Sequence, residues 1–100
     1  MYARVSIFEG GNPDQIDDSL LQAREHVLPR AKQMDGFKGI IALGDRQSGK
    51  SLGITFWESE EAMRSSEEAA NQLRQEAAEA GGEEIAGVES YEVGLFEVEN

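Results

Sequence analysis

The sequence predicts an α+β domain of ferredoxin-like order, β-α-β-β-α-β: a four-stranded antiparallel sheet with two helices on one face. Three observations carry this. Apolar residues alternate near both ends of the chain, two short apolar runs joined by a turn-rich segment occupy its centre, and two stretches with apolar spacings of three and four lie between them. One hundred residues make a single domain, 1–100. A chain of this size hides roughly 60–70% of the surface its unfolded form exposes, so its core is thin and oligomerisation is a natural helper.

The first strand is Tyr2 to Phe8, where Ala3, Val5 and Ile7 alternate with Tyr2, Arg4, Ser6 and Phe8. Gly10-Gly11 breaks it. Asn12 then caps a helix, with Pro13 at the first helical position, Asp14 at the positive end of the dipole and Gln15 closing a loose capping box. Ile16, Leu20, Ala23, Val27, Ala31 and Met34 form one face of that helix. Pro29 removes a backbone bond within it and predicts a kink, and Gly36 suits a left-handed end. Phe37 to Gly44 and Leu52 to Trp57 read as a hairpin. Ser59 caps the second helix, whose stripe is Ala62, Ser66, Ala69, Leu73, Ala77 and Ala80, loosened at Ser65-Ser66 because hydroxyls compete for backbone hydrogen bonds. Gly81-Gly82 ends it, and Val88 to Val98 alternates as the last strand.

Nine Lys and Arg against twenty Asp and Glu give a net charge of −11. That balance opposes binding to nucleic acid and to anionic membranes, both of which recruit clustered cations. With no cysteine there is no thiolate nucleophile or thiolate metal site. No run approaches the ~18 apolar residues of a membrane helix, and no signal peptide precedes the first strand, so the expected location is cytoplasmic.

Gly44-Asp45-Arg46-Gln47-Ser48-Gly49-Lys50-Ser51 satisfies G-x-x-x-x-G-K-[ST], the nucleotide phosphate loop. That loop requires a helix to begin at its lysine, so that free amides face the phosphate. Leu52-Gly53-Ile54-Thr55-Phe56-Trp57 is instead rich in β-branched and aromatic residues. Turn chemistry accounts for the same letters, with Asp45 opening a turn and Gly49 supplying a left-handed position. No nucleotide is expected.

If helices cover Ala3, Val5, Ile7, Ile54, Phe56, Val93 and Leu95, the opposite sheet face carries Tyr2, Arg4, Phe8, Thr55, Trp57 and Phe96. An aromatic face of that kind exceeds what monomers usually expose. Two such sheets packed face to face give a two-fold homodimer with a partly polar space between them. A register slip of one residue would exchange the two faces.

Gly36-Phe37-Lys38-Gly39, the Asp45–Lys50 hairpin, Phe56-Trp57-Glu58-Ser59-Glu60-Glu61-Ala62 and Tyr91-Glu92-Val93 together resemble the dimeric α/β-barrel superfamily, particularly its antibiotic-biosynthesis-monooxygenase-like (ABM) domains. The resemblance covers nearly the whole chain. It implies a dimeric α/β barrel with a cavity for a small apolar or aromatic molecule, bordered by the tryptophan at position 57. Members include cofactor-free quinone-forming oxygenases and haem-degrading enzymes. The asparagine that such oxygenases often carry four residues before the tryptophan is Gly53 here. The histidine and asparagine of the haem-degrading members are missing from the second helix and the first strand, so haem is not expected.

Tyr2, Arg4, Phe8, Thr55 and Trp57 are the candidate cavity residues; none is assigned as catalytic, cofactor-binding or metal-ligating. Trp57 could stack on a planar ligand, although a strand-end tryptophan is more often packing. Arg4 could stabilise an anion, or else pair with Glu92. His26, the one imidazole, lies about 80° off the apolar stripe of its helix at ~100° per residue, a position that is usually solvated. The leading expectation is a cofactor-independent, monooxygenase-like protein acting on a small aromatic or polyketide-like molecule. The alternative is a non-catalytic ligand-binding or structural module of the same fold.

Overall fold

A computed structural model describes residues 1–99. Its elements are β1 (Tyr2–Glu9), a short 3₁₀ turn (Pro13–Gln15), α1 (Ile16–Gln22), a π-helical turn (Ala23–Val27), α2 (Leu28–Ala31), β2 (Phe37–Gly44), β3 (Ser51–Trp57), α3 (Glu60–Ser65), α4 (Glu67–Gly81) and β4 (Glu84–Glu92). The four strands form one antiparallel sheet in the order β2-β3-β1-β4. This is the ferredoxin-like arrangement that the element order predicts.

The first helical segment follows the expected start, with the Asn12 side chain accepting from the Asp14 amide at 2.9 Å. Pro29 shapes its middle. Proline has no N–H to donate to the carbonyl four residues back, and the turn before it widens so that the Leu28 amide reaches the Ala23 carbonyl instead. A π-turn is one way a helix absorbs such a mismatch and keeps going. Gly36 then turns the chain with φ 79°.

Between β2 and β3 the phosphate-loop letters form a hairpin. The Asp45 amide donates to the Lys50 carbonyl at 2.8 Å, and the Gly49 amide to the Asp45 carbonyl at 2.9 Å. The Asp45 carboxylate accepts from the Gln47 amide and the Ser48 hydroxyl, both at 2.9 Å. Those bonds, the amide's first, hold the Asp45 carboxyl below its ordinary range. β3 starts at Ser51, so a strand occupies the place where a phosphate-binding helix would begin.

The second helical stretch breaks at Ser66, whose hydroxyl donates back to the Met63 carbonyl at 2.7 Å. This is the competition with the backbone that paired serines predict. The buried stripe is offset from the expected one on both sides of the break: Met63, Ser66, Leu73, Arg74, Ala78 and Gly81 are buried, whereas Ala69 and Ala80 are exposed. α4 closes on Gly82 in the left-handed conformation.

Two expectations need correction. β4 runs from Glu84 to Glu92, earlier than Val88 to Val98, because it pairs with β1 from Tyr2 to Glu9. Tyr2 pairs with Glu92, and one further bond joins the Val93 amide to the Met1 carbonyl at 2.9 Å. The remaining alternation in Val93–Val98 has no strand to pair with. The two sheet faces are also exchanged. Arg4, Ser6, Phe8, Gly53 and Thr55 lie toward the helices, and Ala3, Val5, Ile7, Ile54 and Phe56 lie on the far side. Sequence polarity misleads here because Arg4 finds partners inside the molecule and its hydrogen bonds make burial tolerable.

Candidate functional site

The space between sheet and helices is not completely filled. A cavity of about 150 Å³ lies there, walled mainly by apolar side chains such as Ile16, Val27, Ile40 and Leu73. Small residues make the room: Ala70 and Ala77 on α4, Ala23 in the π-turn, Ala42 on β2 and Gly53 on β3 all border it. Large side chains at those points would meet across the gap and close it. An apolar cavity of this volume matches a benzene-sized guest.

Polar groups enter this apolar lining at particular places. Arg4 and Ser6 come from β1, Thr55 from β3 and Arg74 from α4. Arg4 is 3% exposed and Arg74 8%. Arg4 donates to the Met63 carbonyl at 2.6 Å and to the Ser66 hydroxyl at 3.3 Å, which ties β1 to the α3–α4 junction. Arg74 makes two longer contacts, to Ser6 Oγ at 3.4 Å and Asn71 Oδ1 at 3.3 Å. Burial lowers the pKa of both guanidiniums. Glu67 opposes that shift in each case, and Arg74 adds to it at Arg4. At the hairpin end, Glu83 also borders the cavity, accepting from Ser51 Oγ at 2.8 Å.

The sequence candidates separate accordingly. Arg4, Phe8 and Thr55 border the cavity, on the helix side of the sheet within one chain and not between two sheets. Tyr2 lies with Arg4 at a second, open and mostly polar depression beside Glu60, Glu67 and Glu92. Its phenol pKa is raised, chiefly by the Glu92 charge. Trp57 borders neither space. It is 1% exposed, stands edge-on to Phe37 at 5.6 Å, lies under the Arg4 guanidinium at 5.6 Å and donates through Nε1 to Thr55 Oγ1 at 2.9 Å. Its role is packing, with one consequence for the cavity wall: it fixes the Thr55 hydroxyl. Arg4 bonds to the α3–α4 junction and not to Glu92, and His26 is exposed on the π-turn.

Arg74 is not among the residues that the sequence singles out. Its signal is a long cation on a helix among small residues, four positions from both Ala70 and Ala78 and next to Leu73. Such a position leaves an arginine space to turn inward. Among the described residues, no group of three or more His, Asp or Glu gathers as a metal site.

Comparisons with known proteins agree with this architecture. The chain has the fold of the antibiotic-biosynthesis-monooxygenase-like domains. It superposes on a monooxygenase from the gene ActVA-Orf6 of Streptomyces coelicolor, solved with nanaomycin D, with a TM-score of 0.68 and 17% identity, covering 98% of this chain and 92% of that one. SnoaB, a cofactor-independent oxygenase from Streptomyces nogalater, matches with a TM-score of 0.63 and 15% identity over 95% and 94% of the two chains. In sequence, the chain is 36% identical over 98 residues to the uncharacterized protein Rv2558 of Mycobacterium tuberculosis and 36% identical over 93 residues to Rv2557 of the same organism. It covers 96% and 93% of itself in those matches but spans only about two-fifths of each relative's length. No protein-family model matches the chain.

Proposed function

We propose that this chain is a cofactor-independent, monooxygenase-like protein whose helix–sheet cavity takes up a small aromatic molecule. The observation that carries the reading is the cavity itself, apolar-walled and sited in a fold shared with cofactor-independent oxygenases. A cavity of about 150 Å³ favours one- or two-ring substrates over larger polycycles. In such a site the protein's part is to exclude water, hold the ring and place hydrogen-bond donors where negative charge develops on the substrate.

One observation favours a second reading, a non-catalytic ligand-binding module. Among the described residues, no histidine or tyrosine borders the cavity, and the one carboxylate that does, Glu83, is already engaged by Ser51. A general base is therefore not poised beside a ligand in the way proton abstraction requires. Oxygen uptake separates the two readings. With hydroxylated benzenes and naphthalenes, the oxygenase reading predicts uptake that needs no added cofactor and that falls at least tenfold in Gly53→Leu, whose side chain would enter the cavity. Binding of these compounds without uptake would establish the module and dismiss the oxygenase.

The face away from the helices supports a homodimer. Ile41 is 40% and Tyr91 53% exposed there, beside half-buried Val5, Ile54 and Phe56. An apolar sheet face of this extent calls for a partner, and a second copy placed by a two-fold axis satisfies both faces at once. Sedimentation at micromolar concentration is predicted to give twice the 11.0 kDa chain mass. A single species at the chain mass would remove the dimer.

A further inference from the structure

Two buried cations share the cavity, and neither has a carboxylate of its own. The three ion pairs found among the described residues join Arg30 to Glu76, Arg46 to Asp17 and Arg64 to Glu60; all lie on the surface and none involves Arg4 or Arg74. Buried charges in proteins are normally paired, because desolvation otherwise penalises them heavily. Here two guanidiniums adjoin one apolar space in a protein of net charge −11. Acidic residues are plentiful, yet the nearby ones serve other positions. Glu67 is exposed and acts on both arginines from beyond salt-bridge distance, and Glu83 is bonded to Ser51.

The two arginines are not equivalent. Arg4 is committed to the Met63 carbonyl and Ser66, contacts that hold the α3–α4 junction against the sheet. Arg74 makes only contacts of 3.3 and 3.4 Å, to a helix neighbour and to Ser6, and a guanidinium has five donors to offer. Its planar fork matches the two oxygens of a carboxylate, the geometry in which arginine binds most strongly. Ser6 and Thr55 border the same space and carry hydroxyls that could serve a second acceptor position.

We propose that the ligand is a small aromatic carboxylate, its ring in the apolar cavity and its carboxylate on Arg74 beside Arg4. This rests on the reading of the cavity as a ligand site and adds the ligand's charge class. Arg74 acts as the specificity-determining cation, and Arg4 as a fixed second charge that lends potential without leaving its own partners.

Calorimetric titration of the full chain with benzoate and with benzamide, its uncharged counterpart of nearly equal shape, tests this. The expected result is at least tenfold tighter binding of benzoate. Arg74→Met should reduce benzoate to the benzamide level while holding or raising the thermal midpoint of the free protein, since an unpaired buried charge has been replaced by an apolar chain. Arg74→Gln provides the same comparison if the methionine variant folds poorly, and Arg74→Lys should retain part of the preference. Equal affinities for the two compounds, or a benzoate preference that survives loss of Arg74, would overturn the anion site but leave the cavity intact. Absence of binding by both would overturn the cavity reading with it.

Discussion

Replacing Trp57 with alanine is expected to cost about 3–5 kcal/mol of stability, the range for truncating a large buried aromatic. The environment places it toward the upper end. Trp57 is the largest fully buried side chain, and it is enclosed by Phe37 on one edge and Arg4 over its ring. Truncation would open a void at the end of β3 and strip the Arg4 guanidinium of its aromatic floor, a contact worth about 0.5–2 kcal/mol. It would also free the Thr55 hydroxyl from its 2.9 Å bond. Because single domains hold only about 5–15 kcal/mol in total, a large share of the margin would be lost. Urea unfolding followed by circular dichroism measures the effect. Trp57→Phe should recover most of it and leave ligand affinity within about twofold, since Trp57 does not line the cavity and reaches it only through Thr55 and Arg4. A large loss of affinity in a stably folded Trp57→Phe would return this residue to the ligand site.

The second large effect is expected from Gly49→Ala. Gly49 has φ 80°, a conformation in which a side chain costs roughly 1–2 kcal/mol. A Cβ there would also overlap the Gly11 carbonyl oxygen, and the atom in the way is backbone, which cannot swing aside. Overpacking of that kind costs about 1–3 kcal/mol, so a combined loss of about 3 kcal/mol is expected. The consequence extends beyond the hairpin. Gly11 directly precedes the Asn12 cap, so displacing it disturbs the start of the first helix and the hairpin end of the cavity together. Lys50→Ala supplies the contrast. A phosphate loop would depend on both residues, whereas a hairpin needs the glycine and tolerates loss of the exposed lysine. The same urea titration should find Gly49→Ala strongly destabilised and Lys50→Ala unchanged.

Local chemistry was legible in the sequence because it acts over a few residues. Asn12 caps, Pro29 deforms its helix, Gly36 and Gly49 adopt left-handed turns, Ser59 caps α3 through the Ala62 amide at 3.1 Å, and Ser66 interrupts the second helix. Each expectation needed only a backbone group and its near neighbour. What the sequence could not supply was the choice between two alternating faces. Both faces of β1 and β3 are apolar enough to be buried, and the deciding contact is Arg4 to the Met63 carbonyl, 59 positions apart in the chain. Polarity alone argued for the wrong side. The end of β4 depended on where β1 begins, again a long-range matter.

The site shows the same division. The sequence groups Arg4, Phe8 and Thr55 because they share a sheet face, and pairing keeps such residues together whichever way that face points. The exchange of faces moved the cavity from between two subunits to the interior of one. Arg74 is not legible as a site residue because charged residues on a helix rich in Glu and Ala usually face water. Its burial goes with a buried face offset from Ala62, Ala69 and Ala80 toward Met63, Ala78 and Gly81, which no spacing rule in the sequence specifies.

The central claim is that the space between helices and sheet is a ligand site. Amide chemical shifts of the isotopically labelled chain, followed as benzoate is added, test it most directly. The account predicts saturable changes concentrated at Ala23, Ala42, Gly53, Ala70 and Ala77, the small residues that make the cavity, and their suppression in Gly53→Leu. Changes centred on Ile41, Ile54, Phe56 and Tyr91 across the opposite sheet face, or no saturable change, would contradict it.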